Sequence, residues 1–205
     1  MKLIDLTHAF TDDMPVYPGD TKPIIRRTHE VSTDGYNDHD ITTGMHVGTH
    51  MDAPLHFVDG GKTMDQISPE KFFGEGVLID ARGKTEIDSD LLKDITLTEN
   101  SIVLILTGFD KKFRAEIYYK NYPVLTLAFA EKIIKAKVKA VGTDTPTPDK
   151  PPFPIHKMLL PNEILIIENL TNLEQLLGVN NFEIIALPVK LSTEAAPVRV
   201  MARIL

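Results

Sequence analysis

Three of the chain's seven histidines and one aspartate fall within the run His46-Val-Gly-Thr-His50-Met-Asp52-Ala-Pro-Leu-His56-Phe57. Neutral imidazole and carboxylate are what divalent transition ions accept where thiolate is missing, and the chain has no cysteine. If these side chains meet at one ion, the shape of the segment is tightly constrained. All four positions are even-numbered and share one face of a strand. In a straight strand, however, His46 and Asp52 stand about 20 Å apart, against ligand distances of about 2 Å. A continuous helix pairs His46 with His50 but turns Asp52 off that face, and Pro54 breaks the next turn. The segment therefore predicts a bent strand or loop, with Gly48 supplying unusual backbone angles and Pro54 holding Ala53 extended. A solvated loop running into Asp59-Gly60-Gly61 is the plain alternative. The interleaved Val47, Met51, Leu55 and Phe57 argue instead for a half-buried segment, whose polar side chains need partners that an ion supplies.

Far along the chain, Glu163-Ile-Leu-Ile-Ile-Glu168 is an apolar strand of the kind buried on both faces, and it ends in a carboxylate. Taken alone, Glu168 is more readily read as opening a turn, since Asn169, Thr171 and Asn172 are capping types. Twelve residues upstream, His156 sits in a short proline-bounded helical turn, Pro154 to Pro161, where a lone histidine is more often packed or exposed than a ligand.

With these residues in view, the sequence resembles the metal-dependent cyclase family that includes bacterial kynurenine formamidases, whose hallmark is His-x-Gly-Thr-His-x-Asp-x-Pro-x-His. Every fixed position of that motif is present from His46 to His56. The resemblance extends over nearly the whole chain, through Ile4-Asp-Leu-Thr-His8, Met14-Pro-Val-Tyr17-Pro-Gly-Asp20, Gly142-Thr-Asp144, and the His156 and Glu168 pair. It implies His46, His50 and Asp52 as ligands of one divalent ion, with His156 and Glu168 completing a second site and Asp52 and Glu168 bridging. One or two ions are expected, zinc first, with manganese or iron as alternatives suited to the same donors. His56 becomes the catalytic acid/base, and Tyr17, which stands where kynurenine formamidases commonly carry tryptophan, becomes an aromatic contact to substrate. The resemblance also implies a swivelling β/β/α fold and a homodimer or larger assembly.

Composition bounds the rest. At 205 residues and 42% apolar, residues 1–205 are expected to form one domain with a sizeable core. A net charge of -7 argues against a nucleic-acid partner; Lys132, Lys135, Lys137 and Lys139 read as the solvated side of a helix. No apolar run approaches the ~20 residues of a membrane span, and Asp5 interrupts the first apolar residues too early for a signal peptide, so a cytoplasmic location is expected.

The punctuation of the sequence is α/β. Strands are expected at Lys2 to Leu6, Ile24 to His29, His39 to His46, Gly76 to Asp80, Ser101 to Leu106, Ala140 to Gly142, Ile164 to Ile167, Phe182 to Leu187 and Val198 to Ile204. The clearest helix spans about Thr126 to Lys137, with Leu127, Ala130, Ile133, Ile134 and Val138 inward; shorter ones are expected near Ser89 to Lys93 and Leu173 to Leu177. Such a pattern suggests a mixed sheet flanked by helices. Thr145 to Pro154 holds five prolines in ten residues and cannot be regular structure; it is either a connector or a stiff wall beside His156. His8, His29 and His39 read as surface or packing residues.

The chemistry expected from these residues is metal-assisted hydrolysis of a small amide, with an aryl formamide such as N-formylkynurenine, of tryptophan catabolism, as the leading substrate. His56 would accept a proton from water and return it to the departing amine. A hydrolase of cyclic amides or lactones, or a cyclase, would use the same site, and a non-catalytic metal-dependent binding protein is the alternative of another class. The chain has no Gly-x-Ser-x-Gly elbow to point to a serine hydrolase.

Overall fold

Strand β12 is the organiser of the molecule, because it touches both ends of the sheet. A computed structural model describes residues Lys2–Leu205, with strands β1 (Lys2–Asp5), β2 (Ile24–His29), β3 (Asp38–Thr42), β4 (His50–Asp52), β5 (Phe73–Asp80), β6 (Glu86–Ile87), β7 (Ser101–Leu106), β8 (Val124–Leu125), β9 (Ala140–Thr143), β10 (Leu165–Glu168), β11 (Phe182–Pro188) and β12 (Ala195–Ile204). The helices are α1 (Val31–Asp34), α2 (Leu127–Ala136) and α3 (Pro154–Leu159), supplemented by short 3-10 turns. The main sheet runs β12-β11-β5-β7-β9-β10-β4 and returns to β12, a closed ring of seven strands with β1 added beside β12. Closure comes from the first residues of β12, where Ala195 pairs with Asp52 and Pro197 with His50; Met201 to Ile204 pair with β1 farther along. Closing the ring leaves fewer unpaired strand edges. The hairpin β2–β3 and the pair β6–β8 stand outside it.

The sequence explains the layers. The parallel strands β7, β9 and β10 are buried at every position, as their unbroken apolar runs require when both faces are covered. Along β7, Ile102, Leu104 and Leu106 join the core inside the ring, while Val103 and Ile105 join a second core against α2 and α3. At the end of β9, Asp144 is fully buried and accepts hydrogen bonds from the backbone N–H groups of Thr107 and Gly108 and from the Thr107 hydroxyl, which ties β9 to the turn after β7.

The expected mixed sheet with flanking helices is present, and several expected boundaries move. Strand β3 ends at Thr42, not His46, because Gly44 and the turn to Gly48 leave the hairpin. Helix α2 begins at Leu127 behind a Thr126 cap that accepts from Phe129 N, and it ends at Ala136. Its buried face is Phe129, Ala130 and Ile133; Leu127 is exposed, since turning the larger Phe129 inward removes more apolar surface from water. Lys137 is the left-handed cap of that helix and Lys139 lies beyond it, so only Lys132 and Lys135 of the expected lysines sit on the helix. No helix among the described residues is long and apolar enough to cross a membrane.

Candidate metal centre and its cavity

The run from His46 folds as a bent strand. Gly48 adopts φ +66, a left-handed conformation that favours glycine, with the flexible end of Met14 packed against it. His50 and Asp52 then leave the same face of β4, Ala53 is extended (φ -101, ψ 164), and Pro54 starts the single 3-10 turn that ends at His56. In the antiparallel pairing of β4 with β10, Glu168 stands directly opposite His50. That register brings to His50 a carboxylate from 118 positions later in the chain. His156 arrives on α3, whose first turn is held by Asp149: one carboxylate oxygen accepts from Ile155 N at 2.6 Å, the other lies 2.8 Å from His156 Nδ1.

These contacts set the tautomers. His50 Nδ1 lies 2.8 Å from the Gly48 carbonyl, which only accepts, so Nδ1 carries the hydrogen and Nε2 has a bare lone pair. That lone pair faces Glu168 Oε2 at 3.2 Å and Asp52 Oδ1 at 3.6 Å. By the same logic His156 donates through Nδ1 to Asp149, and its Nε2 faces Glu168 Oε1 at 3.3 Å and Asp52 Oδ2 at 3.6 Å. His46 Nδ1 lies 3.1 Å from Asp52 Oδ1. None of these approaches gives Asp52 an aligned hydrogen bond: both of its oxygens, and His50 Nε2, are buried without a partner among the described residues. Lone pairs aimed at carboxylates repel unless a cation, proton or metal ion, lies between them.

Protonation follows that demand. Burial alone would push the Asp52 carboxyl up, but His156, His46 and His50 together hold it well below the usual carboxylate range. Burial likewise acts against a charged His46, yet Asp52, Glu168 and Glu194 raise it to about 9. His156 is carried well above the usual imidazole value: burial opposes the charge and is outweighed by Asp149, Asp52 and Glu168. Glu168 is lowered, its burial overcome chiefly by His156 and His50. His56 goes the other way, its burial keeping the ring neutral.

The donor set fits a divalent ion. Ligand atoms of His50, Asp52 and Glu168 all lie within 4.8 Å of one another, and so do those of His46, Asp52 and His56. Asp52 belongs to both groups, as a bridging carboxylate would. In these groupings His50 is with Glu168, and His56 is with His46, which approaches Asp52 more closely than His56 does. Beside the centre lies a cavity of about 200 Å³. Tyr17, Phe57, Tyr119 and Phe153 give it aromatic walls, Pro146 and Thr147 bring the proline-rich run to its side, and His56, Glu168 and Asn169 reach its surface. All seven site residues expected from sequence thus border one place. Sequence reading missed Asp149, which looks like part of a turn before two prolines; Glu194, 3.4 Å from His46 Nε2; and Asn169, which looks like a cap. His8 is packed flat on Phe113, and His29 and His39 lie away from the cavity in the outer hairpin.

A model of the putative cyclase family matches residues 4–150. The chain belongs to the cyclase family. It is similar to an uncharacterized protein of Methanocaldococcus jannaschii, 35% identical with 98% of this chain and 99% of the relative covered. It is also similar to the kynurenine formamidase of Geobacillus thermodenitrificans, 30% identical over 98% and 96% of the two chains. Among solved structures, isatin hydrolase A from Labrenzia aggregata superposes with a TM-score of 0.88 at 26% identity, covering 98% of this chain and 93% of that one. The fold described above is shared with isatin hydrolase A, and the buried His, Asp and Glu groups are able to hold a metal ion.

Proposed function

We propose that this cyclase-family protein is a metal-dependent hydrolase of aryl formamides, with N-formylkynurenine as the leading substrate. The observation that carries the reading is the pair of histidine Nε2 atoms, on His50 and His156, turned toward two buried carboxylates at the floor of an aromatic cavity. His46, His50, Asp52, His156 and Glu168 would hold the ion or ions, zinc first and manganese or iron as alternatives. A divalent ion in such a site supplies Lewis acidity, polarising a carbonyl and bringing the pKa of water from ~16 toward ~7.

The chain's own residues do the rest. Asp149 fixes the His156 ring by its hydrogen bond to Nδ1, and Gly48 fixes His50 in the same way, so neither donor has to reorganise. His56, whose ring centroid is 4.2 Å from that of His46, opens on the cavity, and its ring makes no hydrogen bond among the described residues. It is placed to take a proton from the attacking water and hand it to the departing aryl amine. Tyr17 and Phe57 offer faces on which the aryl ring rests, and the walls keep bulk water from the reacting atoms.

Hydrolysis of a cyclic aryl amide is a second reading with its own support. The fold similarity to isatin hydrolase A is high, and the cavity lining holds Asp20 and Glu168 but no Lys or Arg among the described residues. A neutral ring suits that wall better than a substrate with a free carboxylate. Steady-state rates on N-formylkynurenine and isatin with metal-loaded protein separate the two. Turnover of neither, with other amides and lactones also untouched, would leave only a metal-dependent binding protein.

A further inference from the structure

Asn169 follows the candidate ligand Glu168 with φ +57, a left-handed conformation that glycine adopts at least cost. The chain keeps an asparagine there, and the residue is only 3% exposed. Its backbone is fully engaged: the N–H donates to Thr145 O at 3.1 Å and the carbonyl accepts from Thr49 Oγ1 at 2.6 Å. The side chain is held as firmly, because Oδ1 accepts from the hydroxyl of Tyr118 at 2.8 Å, and Tyr118 is completely buried. Turning the amide over would strip the Tyr118 hydroxyl of its acceptor in a dry core, so this contact fixes which end of the amide is where. What remains is Nδ2, a two-hydrogen donor without a hydrogen-bond partner among the described residues. Unlike His50 Nε2 it is not sealed in, and Asn169 forms part of the cavity wall beside Glu168 and His156.

The geometry points to Asn169 as a substrate-binding residue whose Nδ2 donates a hydrogen bond to a carbonyl oxygen of the bound amide, with Tyr118 as the residue that positions it. This rests on the hydrolase reading for the identity of the ligand, and on the observed orientation for the donor. A donor held in place by a buried phenol has little freedom to lose on binding, and a site built to donate discriminates for ligands that accept.

The test uses metal-loaded protein and formanilide, a neutral aryl formamide. In a His56→Ala background, which slows turnover, calorimetric titration gives Kd with and without Asn169→Gly or Tyr118→Phe. Metal content is measured alongside. Asn169→Gly keeps the left-handed backbone and is expected to weaken Kd about 3- to 10-fold, the range for one lost hydrogen bond, with metal content unchanged. Tyr118→Phe, which frees the amide to rotate, is expected to weaken it less. In the otherwise wild-type chain, kcat/KM on formanilide falls at least as much with Asn169→Gly. Unchanged Kd in both variants, or no binding of formanilide at all, overturns the inference. Turnover that ignores Asn169 sinks this inference and spares the hydrolase reading; Asn169-dependent binding without turnover does the reverse.

Discussion

Asp144 and Asp52 are both fully buried carboxylates at the ends of strands in one closed sheet, and their surroundings differ. Asp144 accepts from two backbone N–H groups and a hydroxyl, all supplied by Thr107 and Gly108. Burial still pushes its carboxyl up to about 6, with those donors pulling downward. Asp52 has no aligned donor for either oxygen among the described residues and is ringed by three histidines instead. The fold completes the first carboxylate by itself and leaves the second to be completed by a cation. On the function proposed above, the difference separates a residue that holds the sheet together from one that would hold a metal ion.

The comparison is sharpened most by asking which residue reacts and which only holds. His56→Ala should retain metal and lower kcat by ~10²- to 10⁴-fold, the usual range for a general acid/base. Loss of metal in that variant would make His56 a ligand, a role its proximity to Asp52 and His46 also permits. Asp149→Ala should weaken metal binding by about 10- to 100-fold, since it frees His156 from the contact that orients it; competition with a chelator of known affinity reads this directly.

Next comes stability, where the two carboxylates should part. Asp144→Ala leaves the N–H groups of Thr107 and Gly108 without their acceptor and should cost about 2–4 kcal/mol in urea unfolding. Added metal at about 100 times its Kd should still stabilise that variant by ~2.7 kcal/mol, as it does the parent, and should give Asp52→Ala almost nothing. Equal metal stabilisation of both variants would break the distinction. The smallest effect belongs to the cavity wall. Tyr17→Ala should raise the barrier by about 0.5–1.5 kcal/mol in kcat/KM for an aryl amide, and Tyr17→Trp should preserve or improve it.

How much of this was legible in the sequence depended on distance along the chain. His46, His50, Asp52 and His56 announce themselves because eleven residues carry all four, and the bend at Gly48 and Pro54 follows from their need to meet. Strands β7, β9 and β10 of the ring are legible as apolar runs, because burial on both faces leaves little room for polar residues. Glu168 and His156 could not be separated from a turn residue and a packed histidine on local grounds. What places them is the β4–β10 register and the Asp149 contact, and neither leaves a local trace. Glu194 was hidden similarly: it precedes β12, and only closure of the ring through Ala195 and Asp52 brings it to His46. Strand β3 stops at Thr42, short of the expected His46, because the chain is already turning toward Gly44.

The central claim is that the Asp52 side is completed by a divalent ion. Its most direct test is metal analysis by inductively coupled plasma mass spectrometry on protein purified without chelator, comparing the parent chain, Asp144→Ala, and the double variant His50→Ala with Asp52→Ala. The account predicts at least one zinc, manganese or iron per chain in the first two and a loss of stoichiometric metal in the third. Full occupancy in the double variant, or none in the parent chain even after equilibration with these ions, would contradict it.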